Sequence, residues 1–376
     1  MLVSKVKRWL TALAGTALLA NTGGAAADWA LNLRRGVTSI SQEAYDLHML
    51  ILWICVAIGA LVFGAMFISI IKHRKSKGAK PATFHESTSV EIVWTIVPFL
   101  ILIGMAIPAT KALIAIEDTS DSDLSIKVTG YQWKWGYDYL DEGVSFISTL
   151  TTPKEQILNQ QDKGENYLLE VDNPVVVPIN KKVRLLITAN DVLHAWWVPD
   201  LGMKRDAIPG FVNEMWFNIE KEGTYRGQCA ELCGKDHGFM PIVVVAKNEA
   251  DYQQWVTDQK AAMDADAAGA DRDWSMAELM ERGEKAYNTN CAACHQANGE
   301  GIKAAGFPGL KGSAIAKGPM DAHLQIVMNG KPGTAMAAFG GQLNDIDLAA
   351  VVTYERNSWG NDTGDLIQPS EVKAAR

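Results

Sequence analysis

The run Met49–Ile71 holds 23 consecutive residues without a charge. As a helix it is about 34 Å long, enough to cross the hydrocarbon core of a bilayer. Inside lipid every backbone N–H and C=O must be satisfied within the segment, so such a run folds as a spanning helix or not at all. A dense basic stretch, KHRKSKGAK, follows at 72–80 and marks a loop of the kind kept cytoplasmic. A second apolar run starts at Ile92 and passes Pro98 and Pro108, which membrane helices tolerate. The sequence therefore predicts a hairpin over 28–116, with spans at about 49–71 and 92–115 and the chain returning to the outer face. Upstream, Lys5, Lys7 and Arg8 precede the apolar run Trp9–Ala20, and Ala25–Ala27 offer a small-residue cleavage site. That order is a secretory signal peptide over 1–27, its apolar part too short to span. Both signals place everything after about residue 117 outside the cytoplasm.

The net charge of −8 is unevenly spread: residues 117–255 carry 22 acidic and 13 basic side chains. An acidic outer region argues against nucleic acid as a partner. Of the five cysteines, Cys229 with Cys233 and Cys291 with Cys294 form ligand-like pairs, and Cys55 lies alone in the first span. No disulfide framework remains, so cores and cofactors must supply the stability.

Residues 124–248 are rich in Val, Ile, Tyr and Trp between turn residues, which reads as short antiparallel strands in a sandwich or barrel. Residues 141–166 form a polar excursion. In the aromatic run Tyr131–Tyr137, strand alternation puts Tyr131, Trp133 and Trp135 on one face, where core packing is their simplest use. At the start of the second span, Thr88-Ser89-Val90-Glu91 has the pattern of a capping box.

The chemistry concentrates in CAELCGKDHGFM, residues 229–240, with His194 upstream in VLHAWWVPD. Thiolate, imidazole and thioether donors together form a soft set that suits copper. One Cys, two His and Met would describe a mononuclear site, and the second Cys is one thiolate too many. Two thiolates can instead bridge two coppers, each capped by one imidazole. Structural zinc on Cys229, Cys233, His237 and His194 stays open at this point. The three-residue gap between the cysteines and the presence of Met240 fit copper better.

After Trp255 the segment 256–273 is rich in Ala and Asp and reads as a solvated linker, or a loosely held helix followed by one. As a flexible chain, such a tether has a root-mean-square span of roughly 23 Å. A third domain, 274–360, carries Cys291-Ala292-Ala293-Cys294-His295, the attachment motif of c-type haem. The thiols bond the porphyrin and His295 binds the iron. Candidates for the sixth ligand are Met320, Met328, Met336 and His323. Met328 lies in a helical stretch where core packing is simplest, His323 reads as a solvated helix residue, and Met336 lies in a loop before a closing helix. Residues 361–376 read as a tail.

The copper motif, preceded by the distant His194, resembles the dinuclear copper A signature of subunit II of the haem–copper cytochrome c oxidases. The 274–360 region resembles a small bacterial cytochrome c domain. The resemblance implies a multidomain chain: a two-helix transmembrane hairpin, an all-β cupredoxin-like Greek-key barrel over 117–255 and a small all-α cytochrome c domain. It implies Cys229 and Cys233 as bridging thiolates, His194 and His237 as terminal ligands, and Met240 and the Glu231 carbonyl as weak axial donors. The Glu231 carboxylate would help hold magnesium or manganese against subunit I. Trp133 matches the residue near copper A where cytochrome c passes its electron, although the family usually has an aromatic where this chain has Lys134. Glu91 matches a glutamate at the mouth of a proton channel. Met336 matches the distal haem ligand.

The implied role is the electron-input subunit of a proton-translocating oxidase in a bacterial inner membrane. It would take electrons from a cytochrome c-type donor and work with subunits I and III, with oxygen reduced in subunit I. The other readings are the copper A subunit of a nitric oxide reductase and a membrane-anchored copper-binding protein without an oxidase partner.

Overall fold

The computed structural model describes residues 32–80, 83 and 85–376, and the expected signal peptide lies outside the described residues. Helix α1 runs Ser39–Lys72 and α2 runs Thr88–Glu117, each longer than the expected span. Their central apolar side chains, among them Leu61, Phe63, Trp94 and Leu102, face outward, as a lipid-facing pair requires. The extra length at the start of α1 has a packing cause. Thr38 caps the helix in a reciprocal box with Ser41, its hydroxyl also donates to the Leu201 carbonyl at 2.8 Å, and Ile40 is buried in the domain that follows. At the far end of α2, Trp216 Nε1 donates to the Ala115 carbonyl and Arg205 pairs with Glu117 at 2.9 Å. The capping box expected at Thr88 and Glu91 is not formed. The helix begins one residue earlier in register, with Ser87 at the cap and no side-chain cap bond, so Glu91 falls one position too late to reach back.

Ten strands follow: β1 Leu124–Tyr131, β2 Lys134–Tyr139, β3 Val144–Ser148, β4 Val175–Pro178, β5 Val183–Ala189, β6 His194–Val198, β7 Met203–Ala207, β8 Asn213–Phe217, β9 Gly223–Cys229 and β10 Pro241–Lys247. They form two five-stranded sheets, ordered β3-β2-β1-β5-β8 and β4-β10-β9-β6-β7. The expectation of purely antiparallel pairing fails twice, because β1 pairs with β5 and β10 with β4 in parallel. The chain crosses to the second sheet at β4 and returns at β5, and a crossover of that kind lays its two ends in the same direction. Between the sheets lie Ile126, Val128, Trp135, Tyr137, Leu185, Ile187, Trp196 and Phe217, all fully buried. β5 shows the cause in its sequence: Val183, Leu185, Ile187 and Ala189 alternate inward with a period of two.

The aromatic run is not one strand. β1 ends at Tyr131 and β2 starts at Lys134, so Gln132 and Trp133 form the turn between them and the expected common face does not exist.

The linker is helical. Helix α3, Glu249–Gly269, starts at an Asn248 cap, buries Tyr252 and Val256 and sets Trp255 against Tyr139 at 5.1 Å between ring centroids. Without proline, and with glycine only at its end, this Ala-rich segment has no reason to break. The flexible-tether expectation is therefore replaced by a spacer helix of about 31 Å. Its far end is fastened: Asp266 meets Arg282 and Asn344, and Trp274 Nε1 donates to the Gly269 carbonyl.

The last domain is built on α4 Met276–Asn290, α5 Met320–Asn329, α6 Asp345–Asn357 and α7 Pro369–Ala375. α4 and α6 cross closely at Gly283, where an added Cβ would lie 2.2 Å from the Ala350 carbonyl. The expected free tail is part of this domain: Ile367 and Val372 enter its core, and the Arg376 guanidinium bonds the Gly340 and Leu343 carbonyls and Asp345.

Candidate metal centre and haem site

The sheet brings the distant histidine to the cysteines. β6 pairs with β9 so that Trp196 stands opposite Cys229, which places His194, at the start of β6, beside the end of β9. From Cys229 the chain loops out and returns through the turn His237–Phe239 to Met240, just before β10. Both ends of the loop are held by the β9–β10 ladder, where Pro241 pairs with Gln228.

All the expected donors converge. Cys229 Sγ lies 3.8 Å from Cys233 Sγ and 3.9 Å from His194 Nδ1. Cys233 Sγ lies 3.4 Å from His237 Nδ1 and 3.5 Å from Met240 Sδ. The Glu231 carbonyl is 3.3 Å from Cys229 Sγ. His194, Cys229 and Cys233 alone put three ligand atoms within 4.8 Å of one another. The two cysteines, His194 and Met240 are buried, and Leu232 is the one strongly exposed apolar side chain of the loop. Each sulfur has a nitrogen partner of its own, and the thioether and the carbonyl fall on different sulfurs. Two soft metals sharing the thiolates fit this set, whereas a single tetrahedral zinc leaves Met240 and the carbonyl unused.

The thiols titrate as a pair. Their mutual hydrogen bond, with help from His194, holds Cys229 down to about 3, and the same contact together with burial pushes the second ionisation, at Cys233, far up. Because both sulfurs must be thiolates to hold metal, binding at the pair must release thiol protons. Burial alone would lower the His194 pKa, but its bonds to Asp191 and Cys229 outweigh burial and hold it above the ordinary value.

Asp191 was not among the residues expected to matter. Its Oδ1 accepts from His194 Nε2 at 2.9 Å, and its Oδ2 accepts from the backbone N–H of Gln132 at 2.8 Å. A carboxylate on the far nitrogen fixes the ring so that Nδ1 faces the sulfurs. The spacing Asp191-x-x-His194 is the only trace of this in the sequence. Gly130 packs on the same ring: a Cβ there would lie 2.8 Å from the His194 side chain. Trp133 is placed against the loop, its Nε1 donating to the Cys233 carbonyl at 3.2 Å beside a 2.8 Å bond from Gln132. Trp135 donates to the Met240 carbonyl from within the core.

In the helical domain, Cys291 caps α4 and the one-turn helix Ala292–His295 carries the rest of the motif. His295 Nδ1 faces the Pro308 carbonyl at 2.8 Å. A proton held there leaves Nε2 bare and aimed as a ligand, which is the tautomer a haem iron needs. The residues therefore fit a covalently attached haem. Met328 lies in the core as its helical pattern suggests, and Met336 sits partly exposed in the loop between α5 and α6. The expectation for His323 is overturned: it is 2% exposed, with Nε2 at 2.8 Å from the buried carboxylate of Glu355.

Soft donors at one end of a two-sheet domain, joined to a haem-attachment motif and two membrane-capable helices, define a membrane-anchored electron-transfer protein. The chain matches cytochrome c oxidase subunit II, periplasmic domain, over residues 124–247. It also matches the transmembrane domain of that subunit over 26–112, and cytochrome c oxidase, cbb3-type, subunit III, over 278–354. It is 39% identical over 229 residues to the probable cytochrome c oxidase subunit 2 of Rickettsia prowazekii, covering 61% of this chain and 72% of that protein. It is likewise 39% identical over 237 residues to cytochrome c oxidase subunit 2 of Arabidopsis thaliana, covering 62% of this chain and 91% of that one. The solved periplasmic domain of cytochrome oxidase subunit II of Bradyrhizobium japonicum is 43% identical, with a TM-score of 0.35, covering 38% of this chain and 98% of that one. This chain belongs to the cytochrome c oxidase subunit 2 family, and it carries a cytochrome c domain at its C-terminal end. The family implies copper A, and the appended domain implies haem c.

Proposed function

We propose that this chain receives electrons from a cytochrome c-type donor at the haem of its last domain and passes them to a dinuclear copper centre, from which they reach subunit I. The observation that carries this reading is the set of paired sulfurs, each with its own imidazole, 3.8 Å apart in a loop clamped by two strands. Cys229 and Cys233 would bridge the metals, with His194 and His237 as terminal ligands and Met240 and the Glu231 carbonyl as weak donors. When bound, the copper pair supplies one-electron redox chemistry with little change in geometry. The chain's part is to hold the donors rigidly, exclude water by burial and fix the His194 tautomer through Asp191. Cys291 and Cys294 would bond the haem, with His295 and Met336 on its iron, a ligand pair that raises the potential into the range of an electron carrier.

Several finer assignments go with this reading. The Glu231 carboxylate would share a magnesium or manganese ion with subunit I, and Trp133 would lie on the route into the copper pair. Glu91, free of the capping role, would stand at a proton-channel mouth. The basic loop after α1 would face the cytoplasm of a bacterium and the redox domains its periplasm, with subunit III also in the complex. Metal analysis and electron-spin resonance of the purified full-length chain test the core of it. Two coppers sharing one unpaired electron are expected, and one zinc with no copper would refute the reading.

A further inference from the structure

Lys134 opens β2 with only 4% of its surface exposed, and none of the ion pairs among the described residues includes it. Its side chain reaches out of its own domain. Nζ donates to Asn290 Oδ1 at 2.6 Å, and lies 5.0 Å from the centre of the Phe339 ring and 6.0 Å from that of Tyr131. Asn290 is the last residue of α4 and precedes Cys291. Phe339 follows Met336 by three residues in the loop between α5 and α6. One lysine of the copper domain thus touches both chain segments that frame the haem motif. Burying an ammonium group with no carboxylate in ion-pair contact is costly, so its contacts with Asn290 and the rings, together with the field of the more distant Asp191 carboxylate, must compensate. Burial also lowers its pKa to about 8.

Lys235, in the copper loop, lies over the Trp133 ring at 5.8 Å, and its charge and that of Asp236 reach the Cys294 thiol. The copper loop and the haem motif thus lie at the same boundary that Lys134 crosses.

We infer that Lys134 is a positioning residue that seats the haem domain on the copper domain, gripping the Asn290 end of α4 and the Phe339 loop against β2. The inference rests on the haem-to-copper reading for its purpose, but the seat itself is a matter of packing and can be tested apart from it. With α3 fastened at both ends, the seat gives the relay one fixed approach.

The test is hydrogen exchange on the full-length, metal- and haem-loaded chain in detergent, read at residues 286–291 and 337–343, with visible and electron-spin spectra recorded alongside. Lys134→Met removes the amine and strands the Asn290 carbonyl. Exchange in both segments should rise about tenfold, equivalent to about 1.4 kcal/mol, with both spectra unchanged. Asn290→Leu, made in the other domain, should do the same, because it leaves the ammonium unpaired. The double variant should return exchange to within about twofold of the parent, since removing both partners leaves no orphaned polar group. A lysine that merely supports its own domain could not be rescued by a change across the boundary. Unchanged exchange in Lys134→Met, or two single effects that simply add, would overturn the inference. If Lys134→Met unfolds the copper domain, Asn290→Leu decides alone: parent-like exchange in it refutes the seat. Missing copper or haem in the parent would instead refute the relay reading and leave the exchange result standing.

Discussion

The copper loop and the loop that carries Met336, the proposed distal haem ligand, are held by different means. The copper loop is twelve residues closed at both ends by the β9–β10 ladder, and its donors already stand within 3.3–3.9 Å of a sulfur. The Met336 loop has no sheet beneath it. It is fastened by Lys331 N–H to the Met336 carbonyl, by Phe339 and Gly340 N–H to the carbonyls of α5, and by Arg376 from the last helix. Strand pairing pre-arranges a metal site, whereas a loop tied at separate points leaves its ligand to be completed by the cofactor. The copper half should therefore fail all at once, when a bridging atom is lost, and the haem half by degrees.

The largest effect expected is at a sulfur. Cys229→Ser or Cys233→Ser should abolish the dinuclear centre, because oxygen is a poor bridge between soft metals. The visible haem spectrum should stay as it was. Next comes Gly283→Val, which drives a side chain into the Ala350 carbonyl at the α4–α6 crossing. Overpacking of this kind costs about 3 kcal/mol, and haem content should fall while copper content holds. Loss of both together would mean that the two domains do not fold separately. A smaller effect is expected at Asp191→Ala, which frees the His194 ring without removing a donor. Copper should bind roughly 10- to 100-fold more weakly, as measured by competition with a chelator. Smallest in structural terms is Met336→His, which should keep covalent haem but lower its potential in a redox titration. If Met328→Leu lowers it and Met336→Leu is silent, the ligand comes from α5 and the contrast between the two loops disappears.

How much of this was legible depended on where the partners lie in the chain. Cys229, Glu231, Cys233, His237 and Met240 fall within twelve residues, so their chemistry could be read as a pattern. His194, 35 residues before Cys229, could be named as a further soft donor, but only the pairing of β6 with β9 joins it to them. Asp191 gave little signal because an aspartate in a turn is ordinary. Lys134 stood out as a basic residue where an aromatic was expected, but its burial depends on Asn290 and Phe339, more than 150 residues away. His323 was misread although its sequence held the answer. It shares a helical face with Met320, Leu324 and Val327, and a buried histidine is tolerable there because Glu355 sits opposite. The spacer helix was obscured by composition: an Ala- and Asp-rich segment without an apolar stripe reads equally as coil or helix.

The central claim is that one chain carries both redox centres in a fixed arrangement and relays electrons between them. Photoreducing the haem in the detergent-dispersed complex and following its reoxidation over a tenfold dilution tests this directly. A first-order rate that is independent of concentration and only weakly dependent on salt is predicted, because both domains are bound to the same helix, α3. A rate that falls in proportion to dilution would mean that the haem meets copper on another molecule, and the relay within one chain would be contradicted.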